Sequence, residues 1–516
     1  MKNLVRILVI LTIVGVMVVP TASARQDSYK ITLINYTDPS VEFFVPLEKG
    51  AKDAAELWGV NQMDGWQLNL TQLAQLQPVG TPELRRQALA RWSRVPGWID
   101  QEIVNLSAGL EAGYSSPQAA VQRVIDQLDG LLALRGEESP FASPAVRDGD
   151  AAFAAAFVAV VSEQILPATQ RYRDFLVETY LGRAREALTV TANPDGRACY
   201  EASLRAYTTV DKSPEEIFQL GNRTVEANRA RVIELGRAAY GLDDFQAIIQ
   251  RMKTDPANRF QSGEALLEFA RETVSRAGAA VPAWFGHVPQ RQAVVEPYPA
   301  YQDGKGVSMR YEPGAGDRPG TFRISLFQPQ ESERGVLEAT AFHEVWPGHH
   351  LQVAVSQEIE GLHPITQITW YSGMGEGWAR YAESLAVEMQ LYRTVSGPIG
   401  RLAWPARGMV VDPGIHVMGW TREQAVAFMA ESGRMTPHGV EEMVDRIAVL
   451  PGQLTAYDTG GLEILALRKQ AEETLGDAFD IREFHDRVLA NGTVPLVMLR
   501  EAIEAWLAEA SEAGPG

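Results

Sequence analysis

The chemistry-bearing residues concentrate in one segment, Phe342-His343-Glu344-Val345-Trp346-Pro347-Gly348-His349-His350, which holds three of the chain's eight histidines within eight positions. A histidine followed directly by a glutamate opens the H-E-x-x-H zinc helix, where two imidazoles one turn apart hold the metal and the glutamate acts as base. The spacing here departs from that pattern. Four residues on from His343 stands Pro347, which cannot bind metal and disfavours an unbroken helix. On a regular helix His350 would share the face of His343 but lie roughly 10 Å along the axis, and His349 would point elsewhere. Zinc–nitrogen bonds are only about 2.0–2.1 Å, so two ligating rings must converge. The helix must therefore break at Pro347-Gly348 and loop out residues before His349.

The next segment supplies an acid. Gly375-Glu376-Gly377-Trp378-Ala379-Arg380-Tyr381-Ala382-Glu383 reads as the start of a helix, with Glu376, Arg380 and Glu383 on one face. A carboxylate from a second helix beside two imidazoles makes a two-His-one-Glu zinc site that keeps a fourth position open for water. The plain alternative is a surface ion pair between Glu376 and Arg380.

These residues need elements to position them. Pro82 to about Leu134 has helical periodicity, opened by Thr81 as a cap and interrupted by the turn Gly113-Tyr114-Ser115-Ser116-Pro117. Ala151 to Leu188 reads as one or two helices kinked at Pro167. Ser213-Pro214-Glu215-Glu216 is a capping box that opens a helix to about Tyr240, and Ser262 to Ala279 is another helix. Between Gly286 and Pro329 the texture changes. Val307 to Tyr311 and Thr321 to Phe327 suggest a small antiparallel sheet, and helical patterns return from Gly335. Edge pairing with an extended peptide is one use for such a sheet.

Residues 1–24 read as a secretory leader: Lys2 and Arg6, an apolar run Ile7–Val19, then Pro20 and the small-residue site Ala22-Ser23-Ala24. The apolar run is short for a bilayer span, and no cysteine follows it to carry a lipid. An uncleaved N-terminal anchor is the alternative. No other stretch reads as apolar enough to cross a membrane. The expected location is periplasmic or secreted. The 516 residues are 46% hydrophobic and 22% charged, which excludes a disordered chain or a multi-span membrane protein. A formal charge of −18 argues against nucleic acid as partner. The single cysteine, Cys199, forms no internal disulfide and reads as a small apolar filler.

The chain resembles the DUF885 family (domain of unknown function 885), placed among zincin-like metallopeptidases. The matching residues are His343-Glu344-x-x-Pro347-Gly348-His349-His350-Leu351-Gln352 and Glu376-Gly377-Trp378-Ala379-x-Tyr381-x-Glu383. Further along come Asp412-x-Gly414-Ile415-His416-x-x-Gly419-Trp420, Gln453-x-x-x-Tyr457-x-x-Gly460, Phe484-His485-Asp486 and Asn491-Gly492-x-x-Pro495-Leu496. With Tyr207-Thr208-Thr209 upstream, the likeness runs over about residues 50–505. Arg380 stands where the family usually carries an apolar residue. The resemblance implies a mainly α, zincin-like helical fold and hydrolase chemistry. The expected layout is a leader (1–24), an N-terminal helical region (25–285), a small β region (286–330) and a helical metal-binding region (331–516), with 25–516 forming one compact unit.

The expected roles follow from chemistry. His343, His349 and Glu376 hold one zinc ion, though another divalent metal would suit the same donors. His349 is preferred to His350 because it needs the smaller insertion, and Glu344 is the general base. His350 and Glu383 are alternative or supporting groups. Tyr457 and then His416 are candidates to stabilise an oxyanion, and Arg407 to bind a peptide carboxylate. His485 reads as structural. The expected function is a zinc-dependent peptidase acting on short peptides. The rivals are a hydrolase of non-peptide amides or esters and a non-catalytic metal- or peptide-binding protein.

Overall fold

The computed structural model describes residues 59–298, 303, 309–314, 318–362 and 369–513. The leader, the start of the expected strand at Val307, and His363 lie outside the described residues. The described residues up to Ala202, with Asp445–Leu450, form one compact unit, and Ser203–Val444 with the residues from Pro451 form a second. This division by packing falls at residue 202, whereas the expected boundary at residue 285 follows the change of secondary structure. The change of texture near Gly286 marks a change of secondary structure, whereas the helices just before it pack with the elements after it.

The first unit contains α1 (Trp66–Leu76), α2 (Pro82–Trp92), α3 (Val95–Glu111) and α4 (Gln118–Ala133). The Thr81 hydroxyl accepts the Leu84 N–H and Pro82 occupies the first turn, as the sequence suggested. A helical run follows, comprising α5 (Ala151–Val160), a π turn over Val161–Ile165 and α6 (Leu166–Phe175), with a second π turn at Leu176–Tyr180. Pro167 does not end this helix. The π turn just before it, closed by Leu166 N–H on Val161 O, has already offset the hydrogen-bond ladder. The 33-residue run Ala151–Arg183 has a window of mean hydropathy 1.6, so by length and composition it qualifies as a span that the sequence reading did not count. It buries one face, with Phe153, Phe157, Val161, Ile165, Tyr172 and Tyr180 packed with Ile99, Leu106, Val121 and Ile125, while Glu163, Gln164, Arg171 and Glu178 are exposed.

The second unit begins its long helices with α7 (Pro214–Tyr240), closed at its start by the Ser213/Glu216 capping box and at its end by Gly241 at φ 68°. Then comes α8 (Gly263–Ala280), capped by Ser262. Three strands follow, β1 (Ala293–Pro297), β2 (Arg310–Glu312) and β3 (Gly320–Ile324), in the order β1-β3-β2. β2 and β3 are antiparallel, as expected, with Tyr311 opposite Phe322. β1 is parallel to β3, with Val295 also opposite Phe322, so the sheet is mixed and not antiparallel. Val294-Val295 was missed as a strand because it is short and ends at Pro297, and alternation in sequence carries no information on direction. Val295, Phe322 and Ile324 pack with Leu266 and Ala270 of α8 and with Leu337 and Ala341 of α9 (Arg334–Glu344).

The remaining elements that frame the site are α10 (His349–Glu358), α11 (Ser372–Glu388), α12 (Ser396–Ala403), α13 (Arg407–His416), α14 (Ala456–Leu475) and α15 (Ile481–Leu489). His485 on α15 is structural, as expected. Its Nδ1–H donates to Trp284 O at 2.7 Å, its Nε2 takes the Tyr381 hydroxyl at 2.7 Å, and it stacks on Phe285. Burial pushes its pKa down to about 3, so the ring stays neutral.

The tightest helix pair is α11 with α14. A Cβ on Gly377 would stand 2.5 Å from Gly460 Cα, and a Cβ on Gly460 would stand 1.8 Å from the carbonyl oxygen of Gly373. Only glycine permits this approach, which brings Tyr457 and Asp458 beside Glu376 and Arg380. Gly460→Ala is expected to destabilise the protein by about 1–3 kcal/mol, the usual cost of overpacking a close-packed contact. A denaturant midpoint equal to wild type would contradict the close approach.

Candidate metal centre

The geometry of the candidate site starts from the end of α9. Val345 leaves the helical region at φ −118°, ψ −90°, and α10 opens at His349. A Cβ on Gly348 would stand 1.9 Å from His343 O and 2.4 Å from Phe342 O, so the return of the chain requires glycine there. Trp378 of α11 donates its Nε1–H to Pro347 O at 2.9 Å in a buried bond. The second motif thus fastens the turn of the first. The break covers Val345–Gly348, including the expected Pro347-Gly348.

The break lets three side chains converge. Glu376 Oε2 lies 3.4 Å from His343 Nε2 and 3.4 Å from His349 Nε2, and the three atoms all lie within 4.8 Å of one another. His343 Nδ1 is 2.8 Å from Glu383 Oε1. An ionised carboxylate only accepts, so Nδ1 donates to Glu383 and Nε2 is the nitrogen directed at Glu376. Among the described residues, buried His349 Nδ1 has no hydrogen-bond partner, which leaves Nε2 as that ring's polar attachment. Donors around a tetrahedral zinc ion with bonds of about 2.0–2.1 Å stand roughly 3.3 Å apart, which the two 3.4 Å separations match, while the two imidazole nitrogens must draw closer than the 4.8 Å limit to share one ion.

The electrostatics agree. Burial opposes charge on His343, but the Glu376 and Glu383 carboxylates outweigh it and push its pKa up to about 10. Against burial, the two imidazoles hold Glu376 well below the usual carboxylate range. Against burial again, Arg380 and His343 bring Glu383 down to about 2. The cluster therefore stabilises positive charge between its donors. The side chains of His343, His349 and Glu376 remain 11–15% exposed, so the cluster opens on solvent. They line a cavity of about 650 Å³ together with Glu344 and Tyr457, with Trp370, Trp404, Met309 and Met435 among its walls.

The other expected residues divide. Glu344 is in the cavity, its Oε2 accepting the Tyr311 N–H at 2.8 Å. This N–H points away from β3 on an edge strand, so at Tyr311 the edge holds Glu344 instead of offering itself to a peptide. Tyr457 lines the cavity with its ring stacked 6.4 Å from that of His343 and under the Arg380 guanidinium. Glu383 is the hydrogen-bond partner of His343. His350 is directed away from the cluster: its Nε2–H donates to Arg291 O at 3.0 Å and its Nδ1 accepts from the Tyr311 hydroxyl at 3.0 Å. Burial pushes its pKa down to about 4. Arg380 does not pair with Glu376; it bonds Glu383 at 2.8 Å and lies 3.4 Å from Asp458, whose other oxygen accepts Ala406 N–H.

Two expectations fail. His416, at the end of α13, is buried and is not part of the cavity wall, because α13 packs against α7. Arg407 is buried at the start of α13 and donates to the carbonyls of Phe428 and Ala403, lies over the Phe428 ring and pairs with Glu431 at 3.7 Å. It holds the fold and does not face the cavity. Sequence reasoning missed Tyr311, Trp370, Asp458 and Arg401. Trp370 packs its ring 5.5 Å from that of His349. Nothing local to these four residues marks them, since each gains its place from packing between distant segments.

The family match covers residues 36–503 and is described as a bacterial protein of unknown function (DUF885). The chain belongs to the DUF885 family. Among solved structures it is similar to one described as "the putative lipoprotein from Colwellia psychrerythraea", with TM-score 0.82 and 27% identity over 88% of this chain and 82% of that one. It also shares its fold with a protein from Shewanella oneidensis described as "a putative lipoprotein of unknown function", with TM-score 0.69 and 17% identity over 88% of this chain and 84% of that one. No curated protein matches it.

Metal content separates the two neighbouring histidines. His349→Ala is expected to lose most of its zinc after dialysis, measured by plasma mass spectrometry, while His350→Ala keeps about one equivalent. The reverse result would exchange the two assignments.

Proposed function

We propose that this DUF885 member is a zinc-dependent, zincin-like metallopeptidase that works outside the cytoplasm and cleaves short peptides. The observation that carries this reading is the convergence of His343, His349 and Glu376 in one cavity with an acid, Glu344, that belongs to none of the three donor positions. His343, His349 and Glu376 would hold the ion, which supplies Lewis acidity toward water and a substrate carbonyl. Glu383 fixes the tautomer and orientation of His343, and Arg380 keeps Glu383 ionised.

Glu344, oriented by the Tyr311 amide, takes the proton from the attacking water and returns it to the leaving amine nitrogen. Tyr457 places a hydroxyl-bearing ring on the cavity wall next to His343 and is the donor for the developing oxyanion. A cavity of about 650 Å³ suits a few residues of extended peptide better than a folded protein. The extracytoplasmic location is supported by the leader-like first residues and by the description of both structural relatives as lipoproteins.

Zinc-loaded wild type and Glu344→Gln should be compared on a mixed library of short peptides by mass spectrometry. The variant is expected to keep its zinc and lose ~10²–10⁴-fold in rate, the usual contribution of a positioned base. Equal rates would remove Glu344 from the reaction. Bound zinc with no peptide cleaved by wild type would favour a hydrolase of other amides or esters, or a binding protein.

A further inference from the structure

Four arginines line the cavity: Arg310, Arg380, Arg401 and Arg434. Three are neutralised within the protein, Arg310 by Glu312 at 2.9 Å, Arg380 by Glu383 at 2.8 Å and Arg434 by Glu333 at 3.2 Å. Arg401 is different. Among the described residues no carboxylate lies within ion-pair distance of it. Its Nη2–H donates to the Ser384 hydroxyl at 2.6 Å, and its Nε is buried with no acceptor.

Glu383 feels the charge of Arg401 without a direct contact, but that carboxylate is already bound by Arg380 and His343, so Arg401 has no ion-pair partner of its own, and a partly buried guanidinium in that state is costly unless an anion meets it. Arg401 sits on α12, which packs directly against α9, the helix that carries His343 and Glu344. The unmatched cation and the candidate base therefore face one cavity. With a net charge of −18 the molecule as a whole repels acids, so a carboxylate is accepted only where a local cation offsets that field. The planar fork of arginine matches a carboxylate with two parallel hydrogen bonds.

We propose that Arg401 is the substrate-carboxylate anchor of this cavity, so that the preferred substrates are short peptides carrying a free carboxylate close to the bond presented to Glu344. This deepens the peptidase reading and rests on it. The carboxylate is either the C-terminal group or an acidic side chain. The role expected for Arg407 thus passes to an arginine six residues earlier, on the helix that borders the cavity.

The test is a binding measurement that needs no turnover. Zinc-loaded Glu344→Gln protein is titrated calorimetrically with three probes: N-acetyl-Ala-Ala-Ala with a free C-terminus, its C-terminal amide, and N-acetyl-Ala-Glu-Ala amide. One carboxylate-bearing probe is expected to bind about tenfold or more tighter than the all-alanine amide, as a charge-assisted contact implies. Which of the two wins identifies the source of the carboxylate. Adding Arg401→Met should abolish the preference and leave affinity for the all-alanine amide unchanged, and Arg401→Lys should restore part of it. Equal affinity for all three probes, no binding of any, or a preference that survives Arg401→Met overturns the proposal. A preference without cleavage by wild type would remove the peptidase reading and keep the anchor, and cleavage without a preference would do the opposite.

Discussion

A regular α-helix cannot bring His343 and His349 to one point, because six residues of helix carry the second ring along the axis and around to another face. Everything at the site depends on the four residues that relieve this constraint. Val345 leaves the helix, Gly348 passes within a distance of the His343 carbonyl that excludes any side chain, and α10 starts afresh at His349. The break is not a loose loop. Trp378 holds it by a buried hydrogen bond to Pro347 O, and Trp378 lies on the same helix as Glu376. One indole therefore sets the position of the imidazole turn relative to the carboxylate that meets it.

Behind the donors stands a chain of charges. His343 is bound to Glu383, Glu383 to Arg380, and Arg380 faces Asp458, which is anchored by the Ala406 amide. Each member is buried or nearly so, and each charge is matched by its neighbour, which is the condition for charges to persist away from water. The chain exists because α11 and α14 touch backbone to backbone at Gly377 and Gly460. Larger residues there would move Asp458 and Tyr457 away from the helix that carries Glu376. Packing at a pair of glycines thus governs the field felt by the His343 imidazole on α9.

The convergence was legible because the constraint is local. Pro347 at the fourth position after His343 announces a broken helix, and the face shared by Glu376, Arg380 and Glu383 follows from helical spacing alone. The capping box at Ser213 and the cap at Thr81 were legible for the same reason: a few adjacent residues carry the whole signal. What was not legible depends on direction or on distant packing. β1 runs parallel to β3, and alternation in sequence is blind to direction. His416 and Arg407 had the right chemistry for the cavity but stand on a helix that faces elsewhere, whereas Arg401 and Tyr311 carried no local mark and line it. Arg380 stands out in sequence as an unusual residue and as a possible partner of Glu376, and its actual partners Glu383 and Asp458 explain how a buried cation is tolerated there.

The central claim is that His343, His349 and Glu376 bind a single ion. X-ray absorption at the zinc edge, on protein reconstituted with one equivalent of zinc and freed of excess by gel filtration, tests it most directly. Retained stoichiometric zinc is expected, with nitrogen and oxygen neighbours at about 2.0–2.2 Å and the multiple scattering of two imidazole rings. Zinc that washes away, or a retained ion whose spectrum lacks imidazole scattering, would contradict it.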